Sequence, residues 1–193
     1  MTGPLVVVIA GPNGAGKSTA APRLLQEGLA VTEFVNADAV ALGLSAFRPE
    51  TAAVAAGRVM LARLKTLADR RADFAFETTL ASKSFAPWLG RLRESGYHVH
   101  IAFLSLPDPQ LAIERVADRV RSGGHDVPVE VIRRRYRAGL ANFFDRYAVG
   151  ADTWQMFDNS ESMESRLIGV RHLDGDARIL DGPAWENLRR RAR

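Results

Sequence analysis

The sequence predicts an α/β fold, a parallel sheet with helices on both faces, on three observations. Short apolar runs alternate with longer stretches of helical periodicity. A glycine-rich motif, Gly11-Pro12-Asn13-Gly14-Ala15-Gly16-Lys17-Ser18, directly follows the first apolar run, Leu5-Val-Val-Val-Ile-Ala10. The length, 193 residues, suits one domain over 1–193 with a substantial core.

The elements follow in order. A strand at 5–10 runs into the glycine-rich loop, and a helix at 17–28 leaves it. A second strand at 33–36 precedes Ala37 and Asp38, and a long helix is expected at 49–71. The third strand, 73–77, closes on Glu77, Thr78 and Thr79 before a helix at 84–95. The fourth, 98–104, runs into Pro107, and a helix at 108–122 ends at Gly123-Gly124. A helix at 128–148 and a fifth strand at 153–157 follow. Segments 166–172 and 177–181 flank Asp174-Gly175, a turn dipeptide, which predicts a hairpin over 166–181 before a last helix at 183–192.

The hydrophobic fraction of 47% and charged fraction of 25% are those of a soluble globular chain. No apolar run approaches the ~20 residues of a membrane helix, and the first apolar run is too short for a secretory leader. A cytoplasmic protein is therefore expected. With no cysteine, disulfides, thiolate metal sites and cysteine nucleophiles are excluded together. The net charge is +4, and Lys17, Lys65 and Lys83 are the only lysines. Arginine suits bidentate phosphate recognition, though a GC-rich genome produces the same bias. The tail Arg189-Arg-Arg-Ala-Arg193 reads either as a contact for nucleic acid or an acidic partner, or as a solvated helix end.

The motif at 11–18 is a complete G-x-x-x-x-G-K-[ST] phosphate-binding loop. Its glycines let backbone N–H groups close around a polyphosphate. Lys17 adds a mobile positive charge, Ser18 offers a hydroxyl to Mg²⁺, and the following helix aims its positive end at the phosphates. Nucleotide binding is therefore expected over Gly11–Thr19.

Ligands in such sheets lie outside the carboxyl ends of the strands. Asp38 suits a general base for a substrate hydroxyl, or a cap for the short helix after it, and one carboxylate can do both. Glu77 suits Mg²⁺ through water or an acceptor hydroxyl. Thr78 and Thr79 suit acceptor phosphate or sugar, or the capping of the next turn. The fourth strand lacks the terminal acid that GTPases and motor ATPases place beside the loop, which favours a small-molecule kinase.

Arg115 and Arg119 share a helix face, and Arg133, Arg134 and Arg135 follow the glycine turn. Segment 119–135 thus resembles a lid over phosphates, the alternative being a solvated basic face. His125 lies in that turn, as a ligand contact or as neither ligand nor contact. His98 and His100 share one side of a strand without further metal ligands.

Taken together, Gly11–Thr19, Asn36-Ala-Asp38, Phe74-Ala-Phe-Glu-Thr-Thr79, Arg119-Val-Arg-Ser-Gly-Gly-His-Asp-Val-Pro128 and Val131-Ile-Arg-Arg-Arg-Tyr136 resemble the zeta-toxin family of P-loop kinases. The likeness is to its short, chromosomally encoded bacterial branch and covers about residues 3–160. The resemblance implies an adenylate-kinase-like P-loop NTPase sheet in a three-layer sandwich. It implies transfer of the ATP γ-phosphate to the 3′-hydroxyl of the sugar in UDP-N-acetylglucosamine, with ATP and Mg²⁺ required and an antitoxin protein as a possible partner. It assigns Lys17 and Ser18 to the β- and γ-phosphates and Mg²⁺, Asp38 to the acceptor hydroxyl as base, and Glu77 and Thr79 to the acceptor. Arg119 and one of Arg133, Arg134 and Arg135, taken as Arg134, would stabilise the transferred phosphoryl group. The chain is shorter than the plasmid-encoded toxins, which carry extra segments around the acceptor pocket.

A second reading is a nucleotide-gated ATPase that switches a protein or RNA partner, with the basic tail as contact. A polynucleotide 5′-kinase ranks last, because no open basic groove can be located, so a nucleic-acid partner is not expected.

Overall fold

A computed structural model describes residues 3–161, 165–173 and 175–193. Its centre is a seven-stranded sheet: β1 (Leu5–Ala10), β2 (Glu33–Val35), β3 (Phe74–Thr78), β4 (His98–Ser105), β5 (Thr153–Asp158), β6 (Arg166–Arg171) and β7 (Arg178–Ile179). They lie in the order β2-β3-β1-β4-β5-β6-β7. The first five are parallel, and β6 and β7 add an antiparallel edge. The expected hairpin is present, with Gly169 opposite Ile179; Asp174 of its expected turn lies outside the described residues.

Every residue of β1 after Leu5 and of β4 after His98 is buried, whichever way its side chain points. Both faces of the central strands are therefore covered, as a parallel sheet requires.

The helices are α1 (Lys17–Pro22), α2 (Ala37–Leu44), α3 (Ala53–Asp69), α4 (Phe85–Glu94), α5 (Pro109–Arg121), α6 (Val129–Asn142), α7 (Ala148–Gly150) and α8 (Gly182–Arg191). Three differ from the expected spans for local reasons. Pro22 has no N–H to continue the ladder, and the expected helix at 17–28 goes on over Arg23–Gly28 in wider, π-type turns. Pro49 opens a 3₁₀ turn, Pro49–Ala52, ahead of α3. The expected helix at 128–148 passes through π-type turns at Phe143–Tyr147 between α6 and α7.

Two aromatic clusters hold the helices on the sheet. Phe76 on β3 packs against Phe85 and Trp88 of α4, with centroids 4.9 and 5.9 Å away. Trp154 on β5 stacks on Trp185 of α8 at 5.6 Å, and Phe144 meets Trp185 edge-on at 5.0 Å. No helix among the described residues is long and apolar enough to cross a membrane.

Candidate active site

The loop after β1 is shaped by its glycines. Gly11 has φ +141°, and a Cβ there would lie 2.1 Å from the Leu104 carbonyl oxygen, so only glycine lets the loop leave β1 this close to β4. Gly11, Pro12 and Ala15 are buried under the loop, whereas Asn13, Gly14, Gly16, Lys17, Ser18 and Thr19 line a cleft. Lys17 is buried, with its ammonium donating to the Pro12 carbonyl at 2.9 Å and 3.6 Å from Glu77 Oε1. Burial holds its pKa below the usual lysine value, against the opposing pull of the Glu77 and Asp38 carboxylates.

Glu77, near the end of β3, is the hub. Its Oε2 accepts from the Ser18 hydroxyl at 2.8 Å and from Asn36 Nδ2 at 2.8 Å. This corrects the reasoning from the fourth strand. β3 as well as β4 flanks β1, so a strand beside the loop does carry an acid at its end, and a missing acid after β4 says nothing about reaction class.

The cap of α2 is a second correction. Asn36, not Asp38, caps it: Asn36 Oδ1 accepts from the backbone N–H groups of Asp38 at 2.7 Å and Ala39 at 3.3 Å. The Asp38 carboxylate, one residue into the helix, is left for other work; it lines the cleft and is 57% exposed. Thr78 and Thr79 also line the cleft, and each accepts from a backbone N–H two residues on, which is the capping alternative read for them.

The cleft is also lined by three arginines, Arg115, Arg119 and Arg135. Arg119 donates through Nη2 to the His125 carbonyl at 3.1 Å, while its Nε is buried with no hydrogen-bond partner. Arg115 lines the cleft too and is anchored on the Asn159 and Ser160 carbonyls at 2.7 and 2.6 Å. Of the three consecutive arginines, Arg135 lines the cleft, and Arg133 and Arg134 are exposed outside it. The choice of Arg134 is thereby corrected on geometry. Arg135 sits three residues after buried Ile132 and four before buried Gly139, on the face that α6 turns inward.

A second hollow shares Gly14, Gly16, Thr19 and Arg115 with the cleft and is walled further by Arg23 and Phe157. Asn159, which also lines it, ties it to the loop by donating to the Ala15 carbonyl at 2.7 Å. The donor set at the mouth of the loop, the Ser18 hydroxyl and the Glu77 carboxylate, is all hard oxygen and fits Mg²⁺. That ion binds through one or two protein oxygens plus phosphates and water, and no cluster of three or more metal-ligating side chains is present among the described residues.

Asn36, Arg115, Arg135 and His125 lie at the site without having been chosen as site residues from sequence. Asn36 carried a usable signal, since asparagine caps helices as well as aspartate does. Arg135 carried none, because adjacent helical positions differ only in direction. His98 and His100 lie elsewhere, 2.9 and 2.8 Å from the Thr153 hydroxyl. In the basic tail, Arg189 packs over the Phe144 ring.

Comparison with known proteins places this arrangement. An uncharacterized protein of Haemophilus influenzae is 28% identical over 126 residues, which cover 65% of this chain and 88% of that one. Among solved structures, the AvrRxo1-ORF1:ORF2 complex with ATP superposes with a TM-score of 0.76 at 16% identity, covering 96% of this chain and 63% of that chain. The present chain thus spans less than two thirds of that protein. A structure of the PezAT chromosomal toxin-antitoxin system of Streptococcus pneumoniae has a TM-score of 0.63 at 13% identity, covering 99% of this chain and 86% of that one. The family model described as Zeta toxin matches residues 2–164. The phosphate loop, the acid on the neighbouring strand and this match over most of the chain identify it as a member of the zeta toxin family and a P-loop kinase.

Proposed function

We propose that the chain transfers the γ-phosphate of ATP to a hydroxyl of a small acceptor, in the class of nucleotide sugars such as UDP-N-acetylglucosamine. The observation that carries this reading is that the Asp38 carboxylate is not used as a helix cap. Because Asn36 does the capping, Asp38 faces the same cleft as Lys17 with its oxygens unspent on the backbone.

In this reading Gly11–Thr19 cradle the triphosphate, with the adenosine half lying in the adjoining hollow against Arg115 and Asn159. Lys17 leaves the Pro12 carbonyl for the β- and γ-phosphates. Ser18 and Glu77 hold Mg²⁺, which neutralises phosphate charge when bound. Thr79 orients the acceptor, while Glu77 also lies within reach of its sugar. Asp38 takes the proton as the acceptor oxygen bonds to the γ-phosphorus and the bond from that phosphorus to the β,γ-bridging oxygen breaks, releasing ADP. Arg119 and Arg135 carry positive charge to the transferred group. Little covalent help is needed, so catalysis is mainly positioning and charge neutralisation. The toxin–antitoxin system among the structural neighbours supports an antitoxin protein as partner.

The test is transfer from γ-labelled ATP to UDP-N-acetylglucosamine and a panel of other nucleotide sugars, by wild type and Asp38→Asn. A labelled sugar nucleotide formed by wild type alone is the expected result. Hydrolysis without transfer, equal in both proteins, would favour a nucleotide switch instead.

A further inference from the structure

We propose that His125 is a positioning residue for Asp38, holding one carboxylate oxygen so that the other is presented to the acceptor hydroxyl. The inference rests on the reading of Asp38 as the base. From sequence, His125 is a ligand contact or neither ligand nor contact, with no sign of a partner for its ring, because Asp38 lies on another element.

Three observations carry it. First, His125 Nε2 lies 3.9 Å from Asp38 Oδ2, although one residue follows α5 and the other lies in the first turn of α2. A movement of less than 1 Å brings the pair into hydrogen-bond range, and catalytic hydrogen bonds are commonly long before substrate arrives. Second, the same residue holds the phosphate-side arginine, since its backbone carbonyl accepts from Arg119 Nη2 at 3.1 Å. His125 therefore touches the proposed base with its ring and the proposed phosphoryl-stabilising arginine with its main chain.

Third, the turn that delivers it is held by hydrogen bonds and close packing. Gly123, at φ +87°, ends α5 in a Schellman motif: its N–H donates to the Val120 carbonyl at 2.9 Å, and that of Gly124 to the Arg119 carbonyl at 2.9 Å. Gly124 packs so closely that a Cβ there would stand 2.6 Å from Arg119 Cγ. Two residues beyond His125, Val127 is buried in the core, and α6 begins at Val129. His125 is thus pinned from both sides, with its side chain 25% exposed beside Asp38.

A neutral imidazole with its proton on Nε2 suffices for the contact, so glutamine, whose side-chain amide nitrogen reaches a similar position, should substitute in part. Alanine removes the ring and leaves the backbone carbonyl on Arg119.

The test uses the full chain with His125→Ala, His125→Gln, Asp38→Asn and the His125→Ala/Asp38→Asn double variant. For transfer to UDP-N-acetylglucosamine, His125→Ala should lower kcat about ten- to hundredfold, with KM for ATP within about twofold. His125→Gln should recover most of that loss, and the double variant should be no worse than Asp38→Asn. In protein carrying ¹⁵N-histidine, the His125 ring signals at fixed pH should move on Asp38→Asn and not on Asp126→Asn. Wild-type kcat in His125→Ala with an inactive Asp38→Asn overturns the inference and leaves the base reading standing. Full activity of Asp38→Asn removes the base reading and the inference with it. If this acceptor is not phosphorylated even by wild type, the ring signals decide, and signals unmoved by Asp38→Asn overturn the contact.

Discussion

The Ser18 hydroxyl donates to Glu77 Oε2 at 2.8 Å across a separation of 59 residues. That bond joins the phosphate loop to the strand beside it and brings a hydroxyl and a carboxylate to one point. With Lys17 Nζ 3.6 Å from the other oxygen of Glu77, the carboxylate balances a buried cation until phosphate arrives.

Glu77→Gln should therefore act on metal use more than on nucleotide affinity. Transfer is expected to fall by at least about 10²-fold, and the Mg²⁺ concentration for half-maximal rate to rise. A metal titration of the transfer rate, beside nucleotide binding measured by calorimetry, checks this. An unchanged Mg²⁺ requirement would assign Glu77 to the acceptor alone.

Lys17 is buried for function at a cost to stability. Its pKa is lowered in the folded chain, so below the unfolded lysine value the unfolded state holds the proton more tightly. Stability contributed at this site rises with pH only as the lysine range is approached. Lys17→Met should raise the melting temperature of the ligand-free protein, by about 2–4 °C for each kcal/mol regained in a chain of this size. It should also abolish the further rise that MgATP gives to wild type. Differential scanning calorimetry with and without nucleotide reads both effects.

His100 predicts acid sensitivity far from the cleft. Burial pushes its pKa down to about 4, and His98 nearby pushes the same way. A depressed histidine takes up its proton in the unfolded chain first, so stability should fall as pH drops from about 6.5 toward 4. The full loss is on the order of 3 kcal/mol. Urea midpoints across that range should slope less in His100→Gln than in wild type.

The three consecutive arginines should separate cleanly. Arg135→Ala is expected to lower kcat by about 10²-fold or more, as loss of a phosphoryl-stabilising cation does. Arg134→Ala should remain within about twofold of wild type. Steady-state kinetics on the two variants decide it, and the reverse pattern would show that α6 rotates when substrate binds.

Much of the fold was legible because it rests on local pattern. β1 announces itself as six apolar residues before a glycine-rich turn, and the ends of β3, β4 and β5 fell within one residue of expectation. The phosphate loop is readable for the same reason, since its chemistry lies in eight consecutive residues whose conformational needs dictate their types. The strand order was not readable. Register and neighbour choice are settled by packing over long separations, and the acid that belongs beside the loop was therefore sought on β4 when it stood on β3.

The sequence by itself determined the phosphate loop, the parallel α/β architecture and the residue types available at each strand end, because those follow from short-range sterics and hydrophobic period. Only the tertiary structure decided which side chains meet. Asn36 capping α2 and so freeing Asp38, Arg135 rather than Arg134 reaching the cleft, and His125 standing 3.9 Å from Asp38 are consequences of helix rotation and sheet order. Those are fixed by burial of the whole core rather than by any segment of it.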